Sequence, residues 1–140
     1  MFQRVLVAYD GSDGAKEALD AAVSVACRDS AELIGLAIEA HLPHYGATVG
    51  EVEEERQFEE QACTRWLEEA SAYAGDRGVA MQGDIRSGHP AQEILRAAQD
   101  QGADLIVIGH SGHSGVWGRF LGGTAEKVSR HAACSTLIVR

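Results

Sequence analysis

The chain has 140 residues, 45% of them hydrophobic, 24% charged and only two of them proline, which fits one folded domain and excludes a disordered or fibrous protein. Its 21 acidic residues outweigh 12 basic ones for a formal net charge of −9, a balance that works against nonspecific binding to nucleic acid or to an anionic membrane surface. Cys27, Cys63 and Cys134 make no CxxC or zinc-type spacing, and no signal-peptide pattern or membrane-length apolar run is present. The expectation is a cytoplasmic protein, without membrane insertion, whose cysteines are reduced and serve as small buried hydrophobes.

Residues 4–9, RVLVAY, have the length and β-branching of a buried strand. The strand ends at DGSDG, where Ser12 or Asp13 caps a helix with an apolar face of Ala18, Leu19, Ala22, Val23 and Ala26. Residues 31–40 read as a second strand, and 41–50, rich in His, Gly and Pro, as a loop. A long helix is predicted over 51–78, with Phe58, Ala62, Trp66, Ala70 and Tyr73 on one stripe and Gly78 as its stop. Its six glutamates between 51 and 60 suit the positive end of the helix dipole and form a solvated face. A weaker third strand at 79–85 is interrupted by Gly83; a helix follows within 86–102, with Pro90 near its start and Ile94, Leu95 and Ala98 on its apolar face. Residues 103–109 are the most strand-like run, and a helix from Thr124 to His131 and a strand at 135–139 complete the pattern.

Alternating strands and helices, with strands that are continuously apolar, predict a parallel sheet covered by helices on both faces. Ligands of such sheets bind beyond the carboxyl ends of the strands, where the strand order reverses. Asp10 and Gly109 both stand at such ends. Behind Gly109 lies GHSGHSGVWGRFLGGTAEKV, in which six of twenty residues are glycine. It is not a P-loop, because Thr124 follows Gly118 and Gly123 where a lysine is needed, and the dinucleotide fingerprint GxGxxG is absent. It is not a hydrolase elbow around Ser111 either, since His113 replaces the final glycine of G-x-S-x-G. What remains is G-x2-G-x9-G, formed by Gly109, Gly112 and Gly122 before a helix whose free N–H groups suit an anion. The alternative is that these glycines only shape a surface loop.

These motifs, with VLVAYDGS at the start, SGHPAQEILRAAQDQGADLIVIGHSG in the middle and STLIVR at the end, resemble the ATP-binding branch of the universal stress protein family over nearly the whole chain. The resemblance implies a Rossmann-like fold of the adenine nucleotide alpha hydrolase type, with a five-stranded parallel sheet in the order 3-2-1-4-5. It implies homodimers paired through the last strand, 135–139, and ATP, or ADP or AMP, bound with Mg2+ or Mn2+. Carried over by position, Ala8 lines the pocket, Asp10 approaches the ribose or the metal, and the Ala37 backbone meets the adenine edge. Ile108, Gly109, His110 and Gly112 wrap the ribose and phosphates, and Gly122, Gly123 and Thr124 donate to the phosphates. The family has Ser or Thr directly after the third glycine, whereas this chain has Gly123, which keeps the backbone donor and loses a hydroxyl.

For Asp10 the residues themselves leave two readings open, a metal or ribose contact and a cap for the first helix. His110 and His113 are three apart in a loop that does not fix them as a metal pair, but either suits phosphate, as does Arg119 unless it faces solvent; Trp117 and Phe120 suit a lid or a dimer contact, and His41 and His44 the adenine border or the plain surface. The leading expectation is a dimeric stress-response module that binds an adenine nucleotide and acts on a protein partner. A slow metal-dependent ATPase and a nucleotide-free interaction protein are the alternatives.

Overall fold

The structure, a computed structural model, describes residues 1–39, 48–110 and 122–140. The elements alternate along the chain: β1 (Arg4–Ala8), α1 (Asp13–Asp29), β2 (Glu32–Glu39), α2 (Val49–Asp76), β3 (Met81–Ser87), α3 (Pro90–Gln101), β4 (Leu105–Gly109), α4 (Gly123–His131) and β5 (Ser135–Val139). The strands form one parallel sheet in the order β3-β2-β1-β4-β5, the fold class expected from the sequence.

The central strands are continuously apolar because both of their faces are covered. Val5, Val7, Leu33, Leu105 and Val107 pack against α1 and α2, while Leu6, Ile34, Leu36, Ile106 and Ile108 pack against α3 and α4. Each large aliphatic side chain buried in this way contributes roughly 1.5–3 kcal/mol. β3 and β5 are the sheet edges and are only partly buried, so their sequences carry a weaker apolar signal. That is why β3 lies two residues later than the apolar run at 79–85 suggests.

Ser12 is the N-cap of α1, its Oγ accepting the Ala15 N–H at 3.2 Å, and the predicted apolar face of that helix is buried. α2 begins before the predicted position, at Val49, because Thr48 and Glu51 form a reciprocal capping box. Its buried residues are Ala62, Cys63, Leu67, Ala70 and Ala74. The predicted stripe holds at Ala62 and Ala70, but Phe58 is 69% exposed. Steps of four residues advance about 40° around a helix, so a run of them leaves the core face. The Tyr73 hydroxyl donates to the Asp20 carboxylate and ties α2 to α1.

The amino end is held by two carboxylates. Asp29 accepts the Phe2 N–H at 3.0 Å, and Asp104 accepts those of Gln3 and Arg4, both at 2.9 Å. The Arg4 and Gln3 amides hold the Asp104 carboxyl below its ordinary value of 3.8. A depressed carboxylate stabilises the fold above its unfolded value and loses that contribution as pH falls through its folded value. Asp104→Ala is therefore expected to lose about 1–2 kcal/mol near neutral pH in urea denaturation, and the difference from wild type to shrink as pH falls below 3.8.

Candidate functional site

The ladder between β1 and β4 runs through Val5↔Leu105, Leu6↔Ile106 and Val7↔Val107. Beyond it, β1 remains paired with β2 at Ala8↔Leu36, and β4 with β5 at Gly109↔Val139. The two central strands separate at their carboxyl ends, and the helices that follow them pack on opposite faces of the sheet. The gap is a crevice of about 500 Å3, a size that suits a small organic ligand.

Ala8 and Asp10 line it from the end of β1, and Ile108, Gly109 and His110 from the end of β4. Gly122, Gly123 and Thr124 line it from the start of α4. Its N-cap is Gly122, with no side-chain cap among the described residues, and its first N–H groups and positive dipole end suit an anion. The Gly122 N–H itself donates to the His110 carbonyl at 2.9 Å. Asp10, Glu39 and Glu59 also line the crevice, whereas no lysine or arginine does so among the described residues.

Asp10 orders the β1–α1 turn. Its Oδ1 accepts the Ser12 N–H at 3.0 Å and the Ser12 hydroxyl at 2.6 Å, so carboxylate and helix cap form one unit. Gly11 within this turn has φ +76°, and a Cβ there would lie 2.7 Å from Trp66 Nε1, so the indole covers the turn. Burial pushes the Cys63 thiol up to about 11, with the Glu39 and Glu59 charges adding to it, so Cys63 is a neutral thiol at pH 7. Burial likewise raises the Tyr9 phenol, helped by Glu69 and Asp10. Glu39 is itself buried and accepts the Ser87 hydroxyl at 2.8 Å.

The sequence model of the universal stress protein family matches residues 1–140. This chain belongs to that family. It is 39% identical to universal stress protein YxiE of Bacillus subtilis over 148 aligned positions, covering 100% of both chains. Among solved structures it resembles the universal stress protein UspA from Lactobacillus plantarum with a TM-score of 0.90 and 26% identity, covering 99% of this chain and 97% of that one. A universal stress protein crystallised in complex with cAMP matches with a TM-score of 0.77 and 27% identity, over 99% of this chain and 97% of that one.

Of the positions carried over from the family motif, Ala8, Asp10, Ile108, Gly109, His110, Gly122, Gly123 and Thr124 meet around the crevice. Ala37 does not line it; Ala37 is fully buried with Cys63 and Leu67, and Leu36, Ile38 and Glu39 form that wall. Gly112 lies outside the described residues, as do His41, His44, Ser111, His113, Trp117, Arg119 and Phe120. The apolar sequence pattern did not single out Glu39, Phe58, Glu59, Cys63 and Trp66 as lining residues, because the amphipathic pattern of α2 reads as core. Glu39 had a signal of its own, a lone carboxylate ending an apolar strand as Asp10 follows the first.

Besides lining the crevice, Gly109 has a packing role. Its φ is not positive, and a Cβ there would lie 2.7 Å from Gly14 O and 2.8 Å from Gly14 C, so its bare backbone lets α1 pack against the end of β4. Backbone atoms on both sides cannot step aside. Gly109→Ala is expected to cost about 1–3 kcal/mol in urea denaturation of the unliganded protein, as overpacking does; an unchanged midpoint would show that α1 adjusts freely.

Proposed function

We propose that this chain binds an adenine nucleotide in the crevice between β1 and β4, with ATP, ADP and AMP as the candidate ligands. The observation that carries the reading is the start of α4, without a side-chain cap among the described residues, on a crevice that opens where the strand order reverses. Backbone donors and the dipole of α4 suit phosphate, and the apolar wall of Leu36, Ile38 and Phe58 suits a flat base. The cAMP complex of a structural relative supports the adenine part of the proposal.

The proposed role is a regulatory, stress-response module of the cytoplasm that changes its contacts with a protein partner when nucleotide binds. In this reading two copies pair through β5, an edge strand whose Leu137 is 38% exposed. Asp10 is the carboxylate that would meet Mg2+ or Mn2+ carried on the phosphates, where the ion would offset phosphate charge. Among the described residues no cluster of three ligating side chains holds a metal by itself, so the phosphates would be its main ligands. With no lysine or arginine lining the crevice among the described residues, binding is proposed ahead of turnover.

Two measurements test this reading. A thermal-shift titration against ATP, ADP, AMP, cAMP and GTP, with and without Mg2+, is expected to show adenine-specific stabilisation, about 2.7 kcal/mol at a hundredfold excess over Kd. Among the described residues a Cβ at Gly123 meets nothing within 4 Å, so Gly123→Ser restores the family's hydroxyl. It is expected to tighten ATP binding by about 0.5–1.5 kcal/mol in calorimetry. No stabilisation by any nucleotide in either protein would favour the nucleotide-free interaction protein instead.

A further inference from the structure

Residues 53–61 of α2 read EEERQFEEQ, and Phe58 is their one apolar side chain. It is 69% exposed, while Ala62, Cys63 and Leu67 further along the same helix are buried. Phe58 also lines the crevice, as do Ala62 one turn on and Trp66 two turns on. The Trp66 indole is already packed over Gly11, whereas Phe58 keeps most of its surface open. A single exposed apolar residue is ordinary on a plain surface. On the rim of a ligand crevice it is a free aromatic face, and covering it is favourable.

Leu36, Ile38 and Ile108 belong to the apolar layer packed against α3 and α4. α2 packs on the other face of the sheet, through Ala70 and Ala74 and through Cys63 and Leu67. Phe58 therefore reaches the crevice from the layer opposite to Leu36 and Ile38. None of the positions carried over from the family motif stands on α2. Of the three parts of a nucleotide, ribose and phosphate have no planar apolar face. The base has two, and aromatic rings pair through such faces by offset stacking.

Resting on the nucleotide reading above, we propose that Phe58 stacks on the base of the bound nucleotide and makes the crevice select base-bearing ligands over sugar phosphates. Phe58 is a specificity-determining residue, and the ligand covers the ring face that water otherwise meets. Stacking tolerates every base, so Phe58 requires that a base be present and leaves the choice of adenine to contacts at the base edge.

The test compares AMP with ribose 5-phosphate by calorimetry on wild type, Phe58→Ala, Phe58→Leu and Phe58→Tyr. Because Phe58 is exposed, the unliganded variants are expected to melt close to wild type. Phe58→Ala is expected to weaken AMP roughly five- to 150-fold and to leave ribose 5-phosphate unchanged. Phe58→Tyr keeps the ring and the affinity, while Phe58→Leu, apolar but not aromatic, recovers only part of the loss. A second readout is the ring current of the aromatic face. In 1H spectra the adenine H2 and H8 signals of AMP are expected to move upfield on binding to wild type and to Phe58→Tyr, and to move less with Phe58→Leu. AMP affinity unchanged in Phe58→Ala, equal losses for AMP and ribose 5-phosphate, or upfield shifts that Phe58→Leu leaves whole would each overturn the role of Phe58 and leave the nucleotide reading intact. Failure of wild type to bind AMP, ADP or ATP would remove the nucleotide reading, and this proposal with it.

Discussion

The pairing between β1 and β4 stops at Val7↔Val107 while each strand continues alongside its other neighbour. Everything proposed for this protein depends on that early divergence. In a parallel sheet each strand is followed by a helix that covers one face. Here α1 takes one face and α4 the other, because strand addition changes direction between β1 and β4. Ala8 to Asp10 and Ile108 to His110 line the gap. The close approach of Gly109 to Gly14 locks α1 against β4. The crevice is thus a consequence of topology, held open by a packed core on either side of the sheet.

Electrostatics set the kind of ligand that fits. A chain of net charge −9, with three carboxylates in the crevice, does not attract an anion from a distance. At close range the balance changes. Remote carboxylates are screened beyond roughly 8–10 Å in physiological salt, whereas backbone N–H groups at the start of α4 would act on a bound anion at short range. Such a site discriminates by geometry rather than by bulk charge.

Much of this was legible in the sequence, and the exceptions have physical causes. The central strands are buried on both faces, so their apolar runs showed them plainly; β3, half exposed at an edge, carried a weaker signal and shifted by two residues. The start of α2 was missed because the Thr48–Glu51 capping box sat in a stretch read for its glycine, proline and histidine content. Phe58 followed the spacing of core residues, yet it lies at the crevice because the helix turns that position away from the sheet. Asp10, Ile108 and Gly122, expected at the site from the family motif and strand-end position, line the crevice. One feature could not be read from residue order: the clash that makes Gly109 glycine arises between distant segments.

The most direct test of the central claim is a backbone 1H–15N spectrum of the wild type titrated with AMP. The account predicts that the largest shifts fall on residues 8–10, 108–110 and 122–125, the three segments that the topology brings together. Shifts confined to the β5 edge or to the outer face of α2, with the ends of β1 and β4 unmoved at saturation, would contradict it.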